Sequence, residues 1–562
     1  MTTSKSSWPR ANILVSLLAS LSLGAPFPSD PLTVNVPSYG SFVGTTLNTT
    51  SSGSPLAKPV DVWYGIDYAA QPVGDLRFAA VGWPSPVNGT RDATSYGPVC
   101  IQEPGNSNLA NIKGPFEYGE DCLNMNVYRP AGVDPEKKLP VLIWIHGGLF
   151  RNGAGLIFDG ASFVASSSEP VIVVTFNYRL AALGFLASPL LADLDQVNLG
   201  LQDQHQLLRF VHKHISAFSG DPARVTLGGK SAGAHSVGFH YQNPFADGEE
   251  LFQRAIFQSG GPTGRSFPSP SHPLTIRQYE QYLERVGCEG QEGADAVLKC
   301  LRQVDVKLLE STATAMLSEY YWAATHPFQP VSGAVVIPRL PSETWDSGSW
   351  NHVPALVSWI TDEGSSFTPT NLTTDDEAWA WMSNLYPSLD ATDRETFSRL
   401  YPAPDEPGSP YADSRGQAAQ FLRLSDAYGD STYISCAQEI AARLAAADVP
   451  VWKMHWNTNN SVAAYLGISH GTDVKYAWAE PGAQYPAAGT ALAAYYASFV
   501  VGGEPNALRA EGAAEWKEYA EAGSGGLGWQ VKVSPNGTWN EVDNVRREAM
   551  EYWRSIPVKL DH

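Results

Sequence analysis

The sequence predicts an α/β fold with a large, mostly parallel central sheet flanked by helices and carrying helical insertions. Three observations predict it. Apolar strand-like segments at roughly 124–128, 141–146, 171–176, 223–228, 252–257, 354–360 and 450–456 alternate with helical stretches, an order that implies parallel strands joined by helical crossovers. Val141-Leu142-Ile143-Trp144-Ile145 is almost wholly apolar, as a strand covered on both faces must be. Ala223-Arg224-Val225-Thr226-Leu227 reads as a strand running into Gly228-Gly229-Lys230-Ser231-Ala232-Gly233-Ala234, followed by a helix through about Tyr241.

The N-terminus reads as a targeting segment. Lys5 and Arg10 precede the apolar run Ile13 to Leu21, which is too short to cross a bilayer. Small residues follow at Ser22, Gly24 and Ala25, so residues 1–24 are expected to be a signal peptide of a secreted chain. No later apolar run is long enough to span a membrane, so no stable membrane insertion is expected.

The 141–145 strand runs straight into His146-Gly147-Gly148-Leu149-Phe150, a turn whose N–H groups can face a developing negative charge. Gln202 to Ala217 reads as a helix. Ser231 is the centre of a Gly-x-Ser-x-Gly pattern. On a tight strand-to-helix turn its hydroxyl is exposed, the glycines admit close backbone approach, and the helix N-terminus supplies free N–H groups. A hydroxyl needs a base, and in this kind of site the acid and then the histidine follow the serine in the chain. Pro354-Ala355-Leu356-Val357-Ser358-Trp359-Ile360 ends in Thr361-Asp362-Glu363-Gly364, which leaves two candidate carboxylates at one strand tip. Of the 12 histidines, His470 has the right context: Gly467-Ile468-Ser469-His470-Gly471-Thr472-Asp473 is a small-residue loop after the strand Val449 to Met454. Pro-, Gly- and Ser-rich segments at 261–273 and 402–415 read as surface loops.

The formal charge is −20, and −22 once Lys5 and Arg10 are removed with the leader, so nucleic acid is not an expected partner. The five cysteines, Cys100, Cys122, Cys288, Cys300 and Cys436, fit an oxidising compartment, with the pairing left open. None is spaced Cys-x-x-Cys, and no metal or other cofactor is expected. Sequons stand at Asn48, Asn88, Asn371, Asn459 and Asn536 and would carry glycans on surface loops of a secreted chain.

Ordered matches along nearly the whole chain resemble the type-B carboxylesterase/lipase family, which includes cholinesterases and fungal lipases. They are Tyr64 to Ala69 with Pro72 to Phe78, Glu120-Asp121-Cys122-Leu123-Asn124-Met125-Asn126-Val127-Tyr128, Asn177-Tyr178-Arg179, Asn198 to Gln204, Phe218 to Pro222, and Phe499 to Asn506. The resemblance implies the α/β-hydrolase fold over residues 25–562 as one domain, and serine ester hydrolysis of small-molecule esters. It implies Ser231 as nucleophile, His470 as base and Glu363, in preference to Asp362, as the acid. It implies oxyanion donors at Gly148, Leu149 and Ala232, a buried Ser259 near the triad, disulfides Cys100–Cys122 and Cys288–Cys300, and a free, buried Cys436.

Three departures from the family pattern bear on substrate. Lys230 stands where relatives have Glu before the nucleophile; facing substrate, it disfavours cationic esters, and facing inward, it neutralises a carboxylate. Leu149 replaces the third glycine of the usual run and takes volume beside the leaving group. The segment between Cys100 and Cys122 is short and polar and lacks tryptophan, which favours soluble or moderately hydrophobic esters over an interfacial lipase substrate. The competing readings are a catalytically inactive binding or adhesion protein, a lipase for longer acyl chains, and a serine peptidase or amidase.

Overall fold

The computed structural model describes residues 32–103, 116–243, 248–321, 325–460, 462–522 and 527–562, with Met1, Thr2 and Leu109. The expected signal peptide beyond Thr2, and most of the segment between Cys100 and Cys122, lie outside the described residues.

An 11-stranded sheet organises the molecule. Its strands are β1 (Thr45–Thr49), β2 (Pro55–Asp67), β3 (Asn124–Pro130), β4 (Leu139–Ile145), β5 (Ile172–Phe176), β6 (Gly220–Lys230), β7 (Arg254–Gln258), β8 (Ala355–Ile360), β9 (Val451–Trp456), β10 (Trp529–Ser534) and β11 (Gly537–Val542). Across the sheet they run β1-β2-β3-β5-β4-β6-β7-β8-β9-β10-β11. Strands β4 to β10 are mutually parallel, while β1–β3 on one margin and β11 on the other pair antiparallel. All seven strands read from the sequence are present. The sequence reading missed β1, β2, β10 and β11. These marginal strands lack a continuous apolar run: β11 has no fully buried residue, and β2 is buried only in its second half.

The sheet separates two cores, and strand periodicity sorts residues between them. Val141, Ile143 and Ile145 of β4 enter one core, and Leu142 and Trp144 the other. In β8, Ala355, Val357 and Trp359 face the first core, and Leu356 and Ile360 the second. Helices α1 (Leu199–His214) and α2 (Ala232–Gln242) cover the first face, and the largely buried α3 (Pro486–Gly502) covers the second. Disulfides join Cys100 to Cys122 and Cys288 to Cys300, and Cys436 is buried and free.

Parallel register decides where the polar loops emerge. Gly229 pairs with Ile145, Lys230 with Gln258, Gln258 with Ser358 and Ile360 with Trp456. The residues just beyond the C-terminal ends of β4, β6, β7 and β8 are therefore neighbours, as in open parallel sheets that bind ligand at that edge.

Candidate active site

Ser231 occupies the turn between β6 and α2 with φ 59 and ψ −124, a strained conformation for a residue with a Cβ. The surroundings over-determine it. Its N–H donates to the Gln258 carbonyl at 2.9 Å, and its carbonyl accepts from the His235 N–H at 3.0 Å. Gly147 has no room for a side chain, since a Cβ there would lie 2.9 Å from that of Ser231. A Cβ on Gly233 would overlap the Ile145 carbonyl, so the second glycine of the motif packs directly on β4.

Beyond β4 the chain passes through Gly148, Leu149 and Phe150 with φ of 117, 57 and 58. This loop is tied at several points. The Tyr178 hydroxyl donates to the His146 carbonyl at 2.8 Å, Gln329 Nε2 donates to the Leu149 carbonyl at 3.0 Å, and the Ala181 N–H donates to the Phe150 carbonyl at 2.8 Å. A Cβ on Gly148 would overlap the Asn152 carbonyl. The N–H groups of Gly148, Leu149 and Ala232 have no acceptor among the described residues. Three unspent donors beside a strained serine form a cradle that can take an oxyanion.

Glu363 opens a short turn after β8, and His470 lies in the loop after β9. His470 Nδ1 meets Glu363 Oε2 at 2.5 Å, with both side chains buried. Glu363 Oε1 accepts the Ile360 N–H at 2.9 Å. Burial pushes Glu363 up to about 7; Ser259, beside it but outside hydrogen-bond geometry, the Ile360 N–H and the Lys230 charge all pull it back. Burial, reinforced by Lys230, holds His470 well below its ordinary value. The imidazole is thus neutral near pH 7, and its Nε2 is buried with no partner among the described residues. Tyr433 and Phe367 pack around the ring, with centroids at 4.7 and 5.1 Å.

Asp362 does different work. It pairs with Arg415 at 2.9 Å and accepts the Ile468 N–H at 2.8 Å, while its own N–H donates to the Ile468 carbonyl at 3.0 Å. It clamps the histidine loop to the tip of β8.

The Lys230 side chain lies over Gly471, where an added Cβ would stand 2.8 Å from Nζ. It interacts with Asp473 and Glu363 and is held below its ordinary value by burial. Asp473 is fully buried, accepts from Gln258 Nε2 at 2.6 Å, and is pushed up to about 6, chiefly by burial. Around it Gln258 Oε1, Ser358 Oγ, Thr472 Oγ1 and Tyr496 OH are buried with no partner in hydrogen-bond geometry among the described residues. This polar layer behind the histidine escaped the sequence reading. Its one local signal was an acid three residues past His470 in a glycine-rich loop.

Of the sequons, Asn48, Asn88, Asn371 and Asn536 are exposed and Asn459 is half-buried. Among the described residues no helix is long and apolar enough to cross a membrane, and no cluster of His, Cys, Asp or Glu could hold a metal ion.

Residues 30–552 match the sequence model of the Carboxylesterase family. Secreted lipase 4 of Gibberella zeae is 44% identical over 524 residues, which cover 93% of each chain. Carboxylesterase 1E of Mus musculus is 34% identical over 386 residues, 65% of this chain and 66% of its own. Among solved structures, Aspergillus niger EstA matches with a TM-score of 0.80 at 28% identity, covering 94% of this chain and 99% of that one.

Proposed function

The chain belongs to the carboxylesterase family and is a carboxylic-ester hydrolase, and on that premise we propose that it works through Ser231, His470 and Glu363 by way of an acyl-enzyme. The observation that carries this reading is the His470–Glu363 contact of 2.5 Å at the strand edge that also holds the strained Ser231. Glu363 holds Nδ1 protonated and so leaves Nε2 as the base. As Ser231 Oγ attacks the ester carbonyl, its proton passes to Nε2 and the carbonyl π pair moves to oxygen. The N–H groups of Gly148, Leu149 and Ala232 bind that oxyanion. Collapse breaks the bond to the alcohol oxygen, which takes the proton from Nε2 and leaves. Water then repeats the sequence: His470 takes its proton, and the intermediate expels Ser231 Oγ, which is reprotonated as the carboxylic acid departs. A fluorophosphonate probe tests the assignment. It should label Ser231 stoichiometrically as ester hydrolysis falls to zero, and Ser231→Ala should take up none; a label on another residue overturns it.

The substrates we propose are soluble or moderately hydrophobic, non-cationic esters, with Leu149 narrowing the space beside the leaving group. A second reading, hydrolysis of longer acyl chains, is favoured by the name of the Gibberella zeae relative, a secreted lipase. Initial rates across acyl lengths, above and below substrate solubility, separate the two. We also propose that residues 1–24 are removed, that residues 25–562 are the mature, secreted single domain, and that Asn48, Asn88, Asn371, Asn459 and Asn536 are glycan acceptors. The relatives named as secreted support that localisation.

A further inference from the structure

A cleft open to solvent adjoins the oxyanion loop. Two contacts make them neighbours. Gln329, on the cleft wall, donates to the Leu149 carbonyl at 3.0 Å. Phe185, also on the wall, packs edge-on to Phe150 with centroids 5.0 Å apart. The remaining wall mixes apolar residues, with Leu186, Phe328 and Val331 prominent, and polar ones such as Thr275, Gln278 and Tyr279.

One charged side chain in this cleft is unaccounted for. Arg265 is 6% exposed and lines it. Its guanidinium makes no hydrogen bond and no ion pair among the described residues. The other buried arginines are all paired: Arg77 with Glu120 at 2.6 Å, Arg129 with Asp61 at 3.2 Å, Arg179 with Asp203 at 2.7 Å, and Arg423 with Asp375. The Arg265 nitrogens are not among the buried, unpartnered atoms, so they open into the cleft and are available to an anion that enters it. The charges around Arg265 are few. His235 of α2 and His326 both feel its charge and are held below their ordinary value, mainly by burial, so both are neutral near pH 7. His272 lines the cleft, and its Nδ1 accepts the Leu274 N–H at 3.2 Å. Asp561, the one carboxylate on the wall, is occupied by the Ser266 hydroxyl at 3.2 Å and pushed up by burial.

We propose that Arg265 is a substrate-binding residue that receives a carboxylate carried by the ester, so that the cleft takes anionic esters with an apolar spacer between the carboxylate and the scissile bond. The proposal rests on the reading of Ser231 as the nucleophile and names the substrate class of that same site. A wall with apolar patches and one unpaired guanidinium suits such a molecule. The methylenes lie on Leu186, Phe328 and Val331, and the carboxylate meets the planar donor fork.

The test compares mono-4-nitrophenyl adipate with 4-nitrophenyl hexanoate, which matches it in length but lacks the charge. The readout is the ratio of their kcat/KM values in wild type, Arg265→Gln, Arg265→Lys and Asp561→Asn. Arg265→Gln should lower the ratio about tenfold or more, mainly through KM, on the scale of one charge-assisted contact. Arg265→Lys should recover part of it, and Asp561→Asn should raise it. Free adipate should inhibit hexanoate hydrolysis competitively in wild type and less well in Arg265→Gln, which keeps the proposal testable at low turnover. A second arm moves the carboxylate to the alcohol side, comparing the hexanoate ester of 3-hydroxybenzoate with phenyl hexanoate, and shows which half of the ester Arg265 receives. Hexanoate turnover with a ratio unchanged by Arg265→Gln in both arms overturns this inference and leaves the nucleophile standing. Hexanoate turnover that survives Ser231→Ala overturns the reading beneath it.

Discussion

At the residue scale the site separates groups that look equivalent in the sequence. Asp362 and Glu363 are adjacent acids at one strand tip, yet only Glu363 meets His470, while Asp362 is held by Arg415. Glu363→Gln should therefore reduce kcat severely, by about 10²-fold or more on the scale of triad members that act as a unit. Asp362→Asn should act mainly on the histidine loop, with a lower melting temperature and a smaller change in kcat; the reverse order would reassign the acid. Ser231→Ala should remove roughly 10⁴-fold or more of the activity without changing the circular dichroism spectrum. Lys230 lowers the pKa of both Glu363 and His470. Catalysis needs both deprotonated, so activity is lost as pH falls through their apparent pKa values, which belong to the coupled pair. Lys230→Met removes the lowering influence, and the acid limb of kcat/KM should move to higher pH. About one pH unit corresponds to 1.4 kcal/mol of interaction. A limb that stays in place or moves down would show that the Lys230 charge does not reach the pair.

At the scale of elements, the oxyanion loop depends on backbone shapes that most residues cannot hold. Gly148 combines a φ of 117 with a site where a Cβ overlaps the Asn152 carbonyl. Gly148→Ala should displace the loop and lower kcat by about 10²–10³-fold, the range for losing one oxyanion donor, and the strain should lower the unfolding temperature as well. Stopped-flow acylation with a chromogenic ester would register the loss. Gly467, with φ 65 and the Asp362 carboxylate against it, does the same for the histidine loop. In both cases the strand end sets the direction of the chain, and glycine lets the turn close without a clash.

At the scale of the molecule, two cores back to back on one sheet hold the edge rigid where β4, β6, β8 and β9 deliver their loops. Cys436 lies within the first core, and burial pushes its thiol up to about 12. A thiol reagent should find no reactive group in the native protein and one after denaturation. Intact mass should agree with two disulfides and a chain beginning near residue 25. A native protein that titrates Cys122 would break the Cys100–Cys122 bridge seen here.

Local pattern alone determined the seven inner strands, the strand-turn-helix around Ser231 and the glycine turn after β4. Apolar periodicity and glycine placement are properties of a few consecutive residues, and burial on both faces stamps them on the sequence. The marginal strands were not legible, because a half-covered strand such as β11 carries polar and apolar residues in no continuous run. The choice of Glu363 over Asp362 came from family resemblance, since both acids fit the local pattern equally. Only the tertiary structure decided which of them turns toward His470, where the Lys230 ammonium lies, and that Asp473, Gln258, Ser358 and Tyr496 share one buried layer. Arg265 drew no notice in the sequence, standing in a stretch read as a surface loop. Its reading rests on its having no ion-pair partner among the described residues, and that is set by sheet order and helix packing across segments far apart in the chain.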